Sequence, residues 1–300
     1  MAGPTPDRGM LVIGDAMLDA VAVSDAPVPF EPAELDYVGA TIDLHPGGTG
    51  VNLALSAVAC GYSPVRLLCS LGAGTGAGGV DAAGALLLDA LAPSGVGTLV
   101  NVAPGAGTGI VSVGYIGDGK RVMFGSPGAN RAPLSPDAVA AALSALDTTG
   151  VLVVSGWMLF RPTTRAAVGR IMSEAAGRGI PVVLDVVPHA LHRTVSAAEF
   201  DKATKGVVDH VAGNALTFAR LFAIDVACAA PERVAGHLLG SFAGALVHGG
   251  GRYVAAHRTR GARGGPFPGP ADQGRLRGMS DRLLVSEVRD HFLTGPPDPG

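Results

Sequence analysis

Two carboxylates near the amino terminus are the first side chains that could bind a ligand. Asp15 and Asp19 lie in the segment Gly14-Asp15-Ala16-Met17-Leu18-Asp19, directly after the apolar run that begins at Met10. Open α/β sheets bind ligands beyond the carboxyl ends of their strands, so both side chains are candidates for contacts with hydroxyl groups. The alternative for either residue is an acid in a solvated loop.

A glycine-rich turn that leads into a helix is the second candidate. Gly47-Gly48-Thr49-Gly50-Val51-Asn52 precedes the alanine-rich stretch Leu53 to Cys60, and Gly61 stands where a helix end favours glycine. Glycines let the backbone approach a ligand closely, and the Asn52 amide both donates and accepts hydrogen bonds. These properties suit a polyol. A tight turn in which Asn52 only begins the helix explains the pattern as well.

The elements that position these residues alternate between short β-branched runs and alanine-rich stretches. This pattern is typical of βαβ units and predicts an α/β fold with a mostly parallel sheet. The predicted strands are Met10 to Gly14, Val65 to Ser70, Val151 to Ser155, Pro181 to Asp185, Val207 to Ala212 and Ala245 to His248. The predicted helices are Val51 to Cys60, Ala82 to Ala92, Pro136 to Leu146, Pro162 to Arg178, Ala215 to Phe222 and Arg233 to Leu239.

Two segments break this alternation and predict a separate small sheet. They are Val21 to Leu44 and Thr108 to Phe124, the second containing a Gly117-Asp118-Gly119 turn. Beside the carboxyl ends of the strands, such a sheet could cover a ligand as a lid. We therefore assign 10–20, 45–107 and 125–294 to the main α/β body, 21–44 and 108–124 to the lid, and 1–9 and 295–300 to flexible ends.

Composition narrows the class of partner. The 300 residues carry a formal net charge of -3, which gives no electrostatic reason to expect nucleic acid or an anionic membrane surface, so a small-molecule ligand is expected. The three cysteines have no CxxC spacing and indicate a reducing, cytoplasmic compartment. No apolar run approaches the roughly 18 residues that a membrane span needs, so neither an anchor nor a signal peptide is expected.

Two glycine motifs suggest nucleotide sites but lack the residues that would complete them. Gly74 to Gly79 fits G-x-G-x-x-G, yet the next apolar run, Val96 to Val102, ends without the acidic residue that holds a ribose. Gly114 to Lys120 fits the front of a P-loop, but Arg121 replaces the magnesium-binding hydroxyl and a strand follows. We interpret the first as a loop and the second as a hairpin turn.

Short motifs stand in a definite order along nearly the whole chain. They are Gly14 to Asp19, Gly47-Gly48-x-x-x-Asn52, Gly79-x-Asp81-x-x-Gly84, Gly119-Lys120-Arg121 with Gly128-Ala129-Asn130, Ile180 to Asp185 with Pro188, the strand leading to Asn214, and Gly244 to Val247. This series resembles the ribokinase-like (PfkB) carbohydrate kinases. The resemblance implies a doubly wound sheet with a small β lid, and Mg²⁺-dependent phosphoryl transfer from ATP to a sugar or nucleoside hydroxyl.

The resemblance also implies which residues bind the two substrates. Those expected to hold the sugar or nucleoside are Asp15, Asp19, Gly47, Gly48 and Asn52. Those expected to contact the nucleotide are Asp185, Asn214, Gly244 and Met279. No residue is assigned to the metal.

The catalytic assignments follow from a second signature. In the family it ends in Gly-Ala-Gly-Asp at a helix start, and the counterpart here is Gly278-Met279-Ser280-Asp281. By this resemblance Asp281 is the catalytic base, while Gly278 and Ser280 belong to the anion hole. The assignment is coherent, because N–H groups at a helix start stabilise a transferring phosphoryl group and a carboxylate accepts the hydroxyl proton. The alternative is a carboxylate that only complements the helix dipole.

The nucleotide half departs from the family pattern at several positions. Ser280 replaces a glycine, Arg275-Leu276-Arg277 stand where the family has Asp-Thr and a small residue, and Thr217 replaces the glutamate of Asn-x-x-Glu. A neutral hydroxyl is a weaker magnesium ligand than a carboxylate. The chain after Asp281 is also short. Two hypotheses follow, a sugar or nucleoside kinase and a relative that binds such a ligand without transfer or uses the pocket for other chemistry. Pairing of exposed lid strands would give a homodimer.

Overall fold

The computed structural model describes residues 9–24, 39–116, 120–187, 190–267 and 279–293, which form two separate β-sheets and the helices around them. The larger sheet has nine strands in the order β13-β12-β11-β10-β9-β8-β1-β4-β5, and the smaller has four in the order β3-β2-β6-β7. The strands are β1 (Gly9–Ile13), β2 (Met17–Val23), β3 (Thr41–Gly47), β4 (Val65–Gly72), β5 (Val96–Ala103), β6 (Gly109–Ile116), β7 (Lys120–Ser126), β8 (Thr149–Ser155), β9 (Val182–Val186), β10 (His210–Asn214), β11 (Gly244–Gly249), β12 (Arg252–His257) and β13 (Gly261–Pro266).

The large sheet is buried on both faces, and strand β1 shows how. Leu11 and Ile13 pack into one apolar cluster, while Met10 and Val12 pack into another on the opposite face. Successive side chains of a strand point to opposite faces, so a continuous apolar run requires cover on both sides. All neighbouring pairs from β11 to β5 are parallel, whereas β12 pairs antiparallel with both β11 and β13. The predicted doubly wound, mostly parallel sheet is confirmed.

Helices supply that cover on the two faces. They are α1 (Thr49–Ala59), α2 (Ala82–Leu91), α3 (Pro136–Ala145), α4 (Gly156–Leu159), α5 (Arg165–Gly177), α6 (Ala197–Thr204), α7 (Ala215–Leu221), α8 (Pro231–Leu238) and α9 (Met279–Glu287). Buried residues of α1, α2 and α9 share one cluster, and those of α3, α5 and α7 share the other. Helix α9 packs against α1, the helix that follows the glycine-rich turn.

Two predicted boundaries were wrong for local reasons. The strand predicted from Val207 begins at His210, because Val207 and Val208 donate to the Thr204 carbonyl in a turn after α6. The helix predicted from Pro162 begins at Arg165, since the chain first forms the short helix α4 and a turn. Apolar residues in a turn extend the apolar pattern of the neighbouring strand or helix, so the spacing of apolar residues alone places the start of that element too early.

The smaller sheet is separate from the large one, as predicted. Its strands run further than the lid segments drawn from the sequence, because β2 already begins at Met17 and β3 continues to Gly47. Strands β6 and β7 pair antiparallel up to Ile116 and Lys120, which agrees with a hairpin; the Gly117–Gly119 turn itself lies outside the described residues. The division into body and lid stays a prediction. Gly9 belongs to β1, and the remainder of the expected flexible ends also lies outside the described residues.

Register divides the side chains of the small sheet between two faces. Paired residues share a face, so Met17, Asp19 and Val111 lie together on one side. The opposite face carries Leu44 and Phe124, whose side chains are largely exposed. None of the described helices combines the length and the apolarity needed to cross a lipid bilayer.

Candidate active site

A contact between two glycines joins the end of β1 to the start of α1. A Cβ at Gly14 would lie 2.5 Å from the Cα of Gly50, so the two backbones approach more closely than any side chain allows. The Asp15 carbonyl accepts hydrogen bonds from the backbone N–H groups of Gly50, at 3.0 Å, and Val51, at 3.4 Å. The glycine-rich turn is thereby held at the carboxyl edge of the large sheet, where the sequence placed it.

Gly48 is the residue of this turn whose backbone demands glycine. Its φ of 88° and ψ of 153° fall in a region that residues with a Cβ avoid. A Cβ there would also lie 2.7 Å from the Asp15 carbonyl oxygen. Gly48 therefore holds the beginning of α1 against the strand end.

The Asp15 carboxylate is buried and incompletely satisfied. Its side chain is about 8% exposed, and the nearest cation is the Arg161 guanidinium, 4.0 Å from Oδ1. Burial raises the pKa of Asp15 to about 6, and the positive charge of Arg161 opposes that rise. Oδ1 has no hydrogen-bond partner among the described residues, so it can accept from a ligand hydroxyl.

The remaining residues predicted to bind the acceptor lie around the same turn. Asp19 sits in β2 with its carboxylate against Gly47, where a Cβ would lie 2.3 Å from Oδ2. Asn52 occupies the first turn of α1, half-buried, and its N–H donates to the Gly48 carbonyl at 3.0 Å. The structure thus brings Asp15, Asp19, Gly47, Gly48 and Asn52 to one place, although their roles stay predictions.

Two carboxylates distant in sequence meet beside α9. Asp281 is 8% exposed in the first turn of that helix, and burial raises its pKa to about 7. Asp185, near the end of β9, has a pKa well above its usual range because it is removed from water and lies close to the Asp281 charge. The charge on Asp281 therefore disfavours ionisation of Asp185.

The rest of the signature is described only in part. Met279 and Ser280 begin α9 as backbone, and Gly278 lies outside the described residues, as do Arg275-Leu276-Arg277 and Pro188. The predicted anion-hole roles of Gly278 and Ser280 therefore stay predictions.

Asn214 and Thr217 do not form a magnesium site of their own. The Asn214 side-chain oxygen accepts the Leu216 N–H at 2.9 Å and caps α7, and Thr217 is buried. Within the described ranges, no group of three or more His, Cys, Asp or Glu side chains could hold a metal ion. Since Mg²⁺ prefers carboxylate and phosphate oxygens, these residues do not fit a dedicated site.

Gly244 lies apart from the other predicted nucleotide residues. It is the first residue of β11 and pairs with His210, the first residue of β10. Asn214 lies at the other, carboxyl end of β10. A Cβ at Gly244 would lie 2.6 Å from Nδ1 of His210, so glycine is required by packing. The structure does not bring Gly244 to the ligand edge, because a parallel strand presents its last residues there and not its first.

Two motif residues hold loops together. The buried Asn130 amide donates to the Ala16 carbonyl at 2.9 Å and accepts from the Ala16 N–H at 3.3 Å, which ties the segment after β7 to the end of β1. Asp81 accepts from the N–H of Thr108 at 2.7 Å and from its hydroxyl at 2.6 Å, beside the start of β6. Both residues therefore position the connections to the small sheet.

A cavity of about 610 Å³ opens beside Asp15, and sequence reasoning missed it. Its walls include Val111 of the small sheet, Trp157, Arg161 and Arg165. Of the residues predicted to bind the acceptor, Asp15 alone lines it. The segment 156–165 follows the carboxyl end of β8, and that position was the available signal, because ligands bind beyond strand ends.

Comparisons with known proteins identify the fold. No family model matches the chain, and no curated protein matches it in sequence. Among solved structures, ribokinase from Giardia lamblia is 15% identical with a TM-score of 0.72, covering 94% of this chain and 82% of its own. Adenosine kinase from Sinorhizobium meliloti is 18% identical with a TM-score of 0.72, covering 94% and 88%.

A third similar structure carries a bound nucleoside. The Burkholderia thailandensis nucleoside kinase in complex with inosine is 16% identical with a TM-score of 0.63, covering 93% of this chain and 84% of its own. At such identities the agreement concerns the backbone and not the chemistry. The chain has the ribokinase fold.

Proposed function

We propose that this protein transfers the terminal phosphoryl group of ATP to a hydroxyl of a sugar or nucleoside. The observation that carries the proposal is the buried Asp281 carboxylate at the start of α9, packed beside the helix that begins at the Gly47-Gly48 turn. A carboxylate with a pKa near 7 is suited to accept a proton at neutral pH.

In the proposed reaction, the acceptor hydroxyl oxygen attacks the γ-phosphorus. The bond between that phosphorus and the β,γ-bridging oxygen breaks, ADP leaves, and the hydroxyl proton passes to Asp281. Asp19 and Asn52 hold neighbouring hydroxyls, and N–H groups at the start of α9 face the transferring group. Asp185 and Asn214 lie at the same sheet edge, on the side proposed for the nucleotide.

The test is an assay of ADP release with ATP and a broad panel of sugars and nucleosides. We expect transfer to at least one acceptor at a low rate, because losing one donor of an anion hole costs roughly 100- to 1,000-fold in rate. ATP binding with and without Mg²⁺ completes the test. Since the described residues provide no dedicated magnesium site, we propose that the ion is bound mainly through the ATP phosphates.

A binding protein without transfer is the second candidate, favoured by Thr217 in place of a carboxylate. Binding of a sugar or nucleoside from the panel, with no ADP released for any of them, would establish it. In either case a reducing cytoplasmic setting is proposed from the three free cysteines.

Removal of the Asp19 carboxylate should weaken acceptor binding. Asp19→Ala is expected to cost about 1 to 3 kcal/mol of binding free energy, because a charged acceptor of hydrogen bonds is lost. Calorimetry with the acceptor found in the panel measures the change. Asp43→Ala is the matched control, since Asp43 lies on the same face of the small sheet and is exposed. Equal affinity of Asp19→Ala and the parent would refute the assignment.

The face of the small sheet that carries Leu44 and Phe124, opposite to that of Asp19, should join two copies of the chain. On this face Ile42, Leu44 and Phe124 are 65%, 55% and 72% exposed. Exposed apolar side chains on one face of a sheet favour association. We expect a dimer in sedimentation analysis that Phe124→Glu dissociates. Met123→Glu, on the opposite face of β7, should leave the dimer intact. A monomeric parent protein would contradict this prediction.

A further inference from the structure

The cavity beside Asp15 has an excess of positive charge. Arg131, Arg161 and Arg165 line it, and Asp15 is the one carboxylate among its described lining residues. A guanidinium keeps its charge at any physiological pH. Even with Asp15 ionised, two positive charges in this cavity have no negative counterpart there.

Arg161 is the most enclosed of the three. Its side chain is about 15% exposed and donates to the Asn130 carbonyl, while the nearest carboxylate oxygen, on Asp15, is 4.0 Å away. Paired guanidinium and carboxylate groups normally lie 2.7–2.9 Å apart, so this pair is loose. Arg131 is near enough for its charge to act on Arg161 as well. Enclosed like charges are costly unless an anion joins them.

The other two arginines have no strong partner of their own. Arg131 is exposed and makes no ion pair with any described residue. The Arg165 Nε is buried without a hydrogen-bond partner, and its NH2 reaches the Phe160 carbonyl only at 3.4 Å. Glu199 is the nearby acid, but it is exposed on α6 and accepts from Ser196 in the capping box of that helix. Free guanidinium donors therefore face this cavity.

The remaining walls suit a carbon skeleton. Trp157, Phe160 and Val111 are apolar, and Val111 shares a face of the small sheet with Asp19. The cavity therefore adjoins the proposed acceptor site at Asp15, which belongs to both. A ligand long enough to extend from Asp19 past Asp15 would place its far end among the arginines.

We propose that the cavity binds an anionic substituent, a carboxylate or a phosphate, so that the preferred acceptor is an acidic sugar or a phosphorylated sugar or nucleoside. The role as acceptor rests on the proposed kinase function, whereas binding of the anion does not. Guanidinium groups recognise both oxyanions through paired N–H donors, so carboxylate and phosphate are compared directly in the test.

Trp157 provides the measurement, because it is the one tryptophan of the chain and lies in the cavity wall with 41% of its surface exposed. Its fluorescence is titrated with matched neutral and acidic probes, glucose against glucuronate and ribose against ribose 5-phosphate. We expect the acidic member of at least one pair to bind at least about tenfold more tightly in 50 mM salt, and this preference to shrink as salt rises.

Arg131→Gln should reduce that preference at least about fivefold, because one exposed guanidinium is lost without disturbing a buried contact. Arg170→Gln removes an exposed arginine of α5 that does not line the cavity and is the matched control. Arg161→Lys keeps a charge but loses paired recognition, and should act in the same direction as Arg131→Gln.

Weaker or equal binding of both acidic probes, including no binding at all, overturns the proposal, as does an acid preference that Arg131→Gln leaves unchanged. The two proposals fail separately. Transfer to neutral sugars without acid preference removes the anion site and leaves the kinase. Acid preference without ADP release in the transfer assay removes the kinase and leaves the anion site.

Discussion

Asp281→Asn should lower the rate of phosphoryl transfer by roughly 100-fold or more, because the amide has the shape of the carboxylate but cannot accept the hydroxyl proton. The rate of ADP release with a saturating acceptor measures this effect. Asp201→Asn, an exposed acid on α6, is the control and should retain full activity. An unchanged rate in Asp281→Asn would reduce Asp281 to a residue that complements the helix dipole.

The same base predicts the pH dependence of the reaction. Asp281 accepts a proton only when ionised, and burial raises its pKa to about 7, so the rate should fall as pH decreases through about 7. An ordinary exposed aspartate would hold the rate constant down to about pH 4. A profile of kcat against pH between 5 and 9 distinguishes these two cases, and a flat profile contradicts the assignment.

Asp281→Asn should also stabilise the fold above neutral pH. A carboxyl group whose folded pKa exceeds the unfolded value stabilises the fold fully below about 3.8, and that contribution is lost as pH rises through about 7. Asparagine stays neutral, so at pH 8 the variant should be more stable by on the order of 1 to 3 kcal/mol. Urea unfolding at pH 8 and pH 4 measures this gain, which should be largest at pH 8.

Gly48→Ala should destabilise the protein by about 2 to 4 kcal/mol, the second large effect that we expect. Its φ of 88° is strained for alanine, and the new Cβ would lie 2.7 Å from the Asp15 carbonyl. The strain should displace the start of α1, which carries Asn52, so acceptor affinity should fall as well. Urea unfolding and acceptor titration measure the two losses.

Gly61→Ala is the matched control for Gly48→Ala. Gly61 also has a positive φ, 84°, but a Cβ there meets nothing within 4 Å. It should cost only about 1 to 2 kcal/mol and leave acceptor binding unchanged. Equal losses of stability and affinity in the two variants would show that the Asp15 contact is unimportant.

Local sequence patterns determined the architecture and the place of the glycine-rich turn. Alternating apolar runs and alanine-rich helices predicted a sheet covered on both faces, because side-chain periodicity is a property of a few consecutive residues. The Gly47-Gly48 turn could also be predicted locally, because the glycines and the start of the helix that follows lie within the six residues from Gly47 to Asn52. The family resemblance placed Asp281 at a helix start, which the structure shows as the first turn of α9.

Only the tertiary structure decided which distant residues meet. Asp185 lies beside Asp281, and Arg131, Arg161 and Arg165 line one cavity. Gly244 lies at the amino end of its strand, away from the carboxyl ends where ligands bind. These relations depend on strand order and on the direction in which each strand runs, and neither follows from the spacing of residues along the chain. The shifted pKa values depend on burial and on neighbours from other elements, which become defined only when the chain has packed.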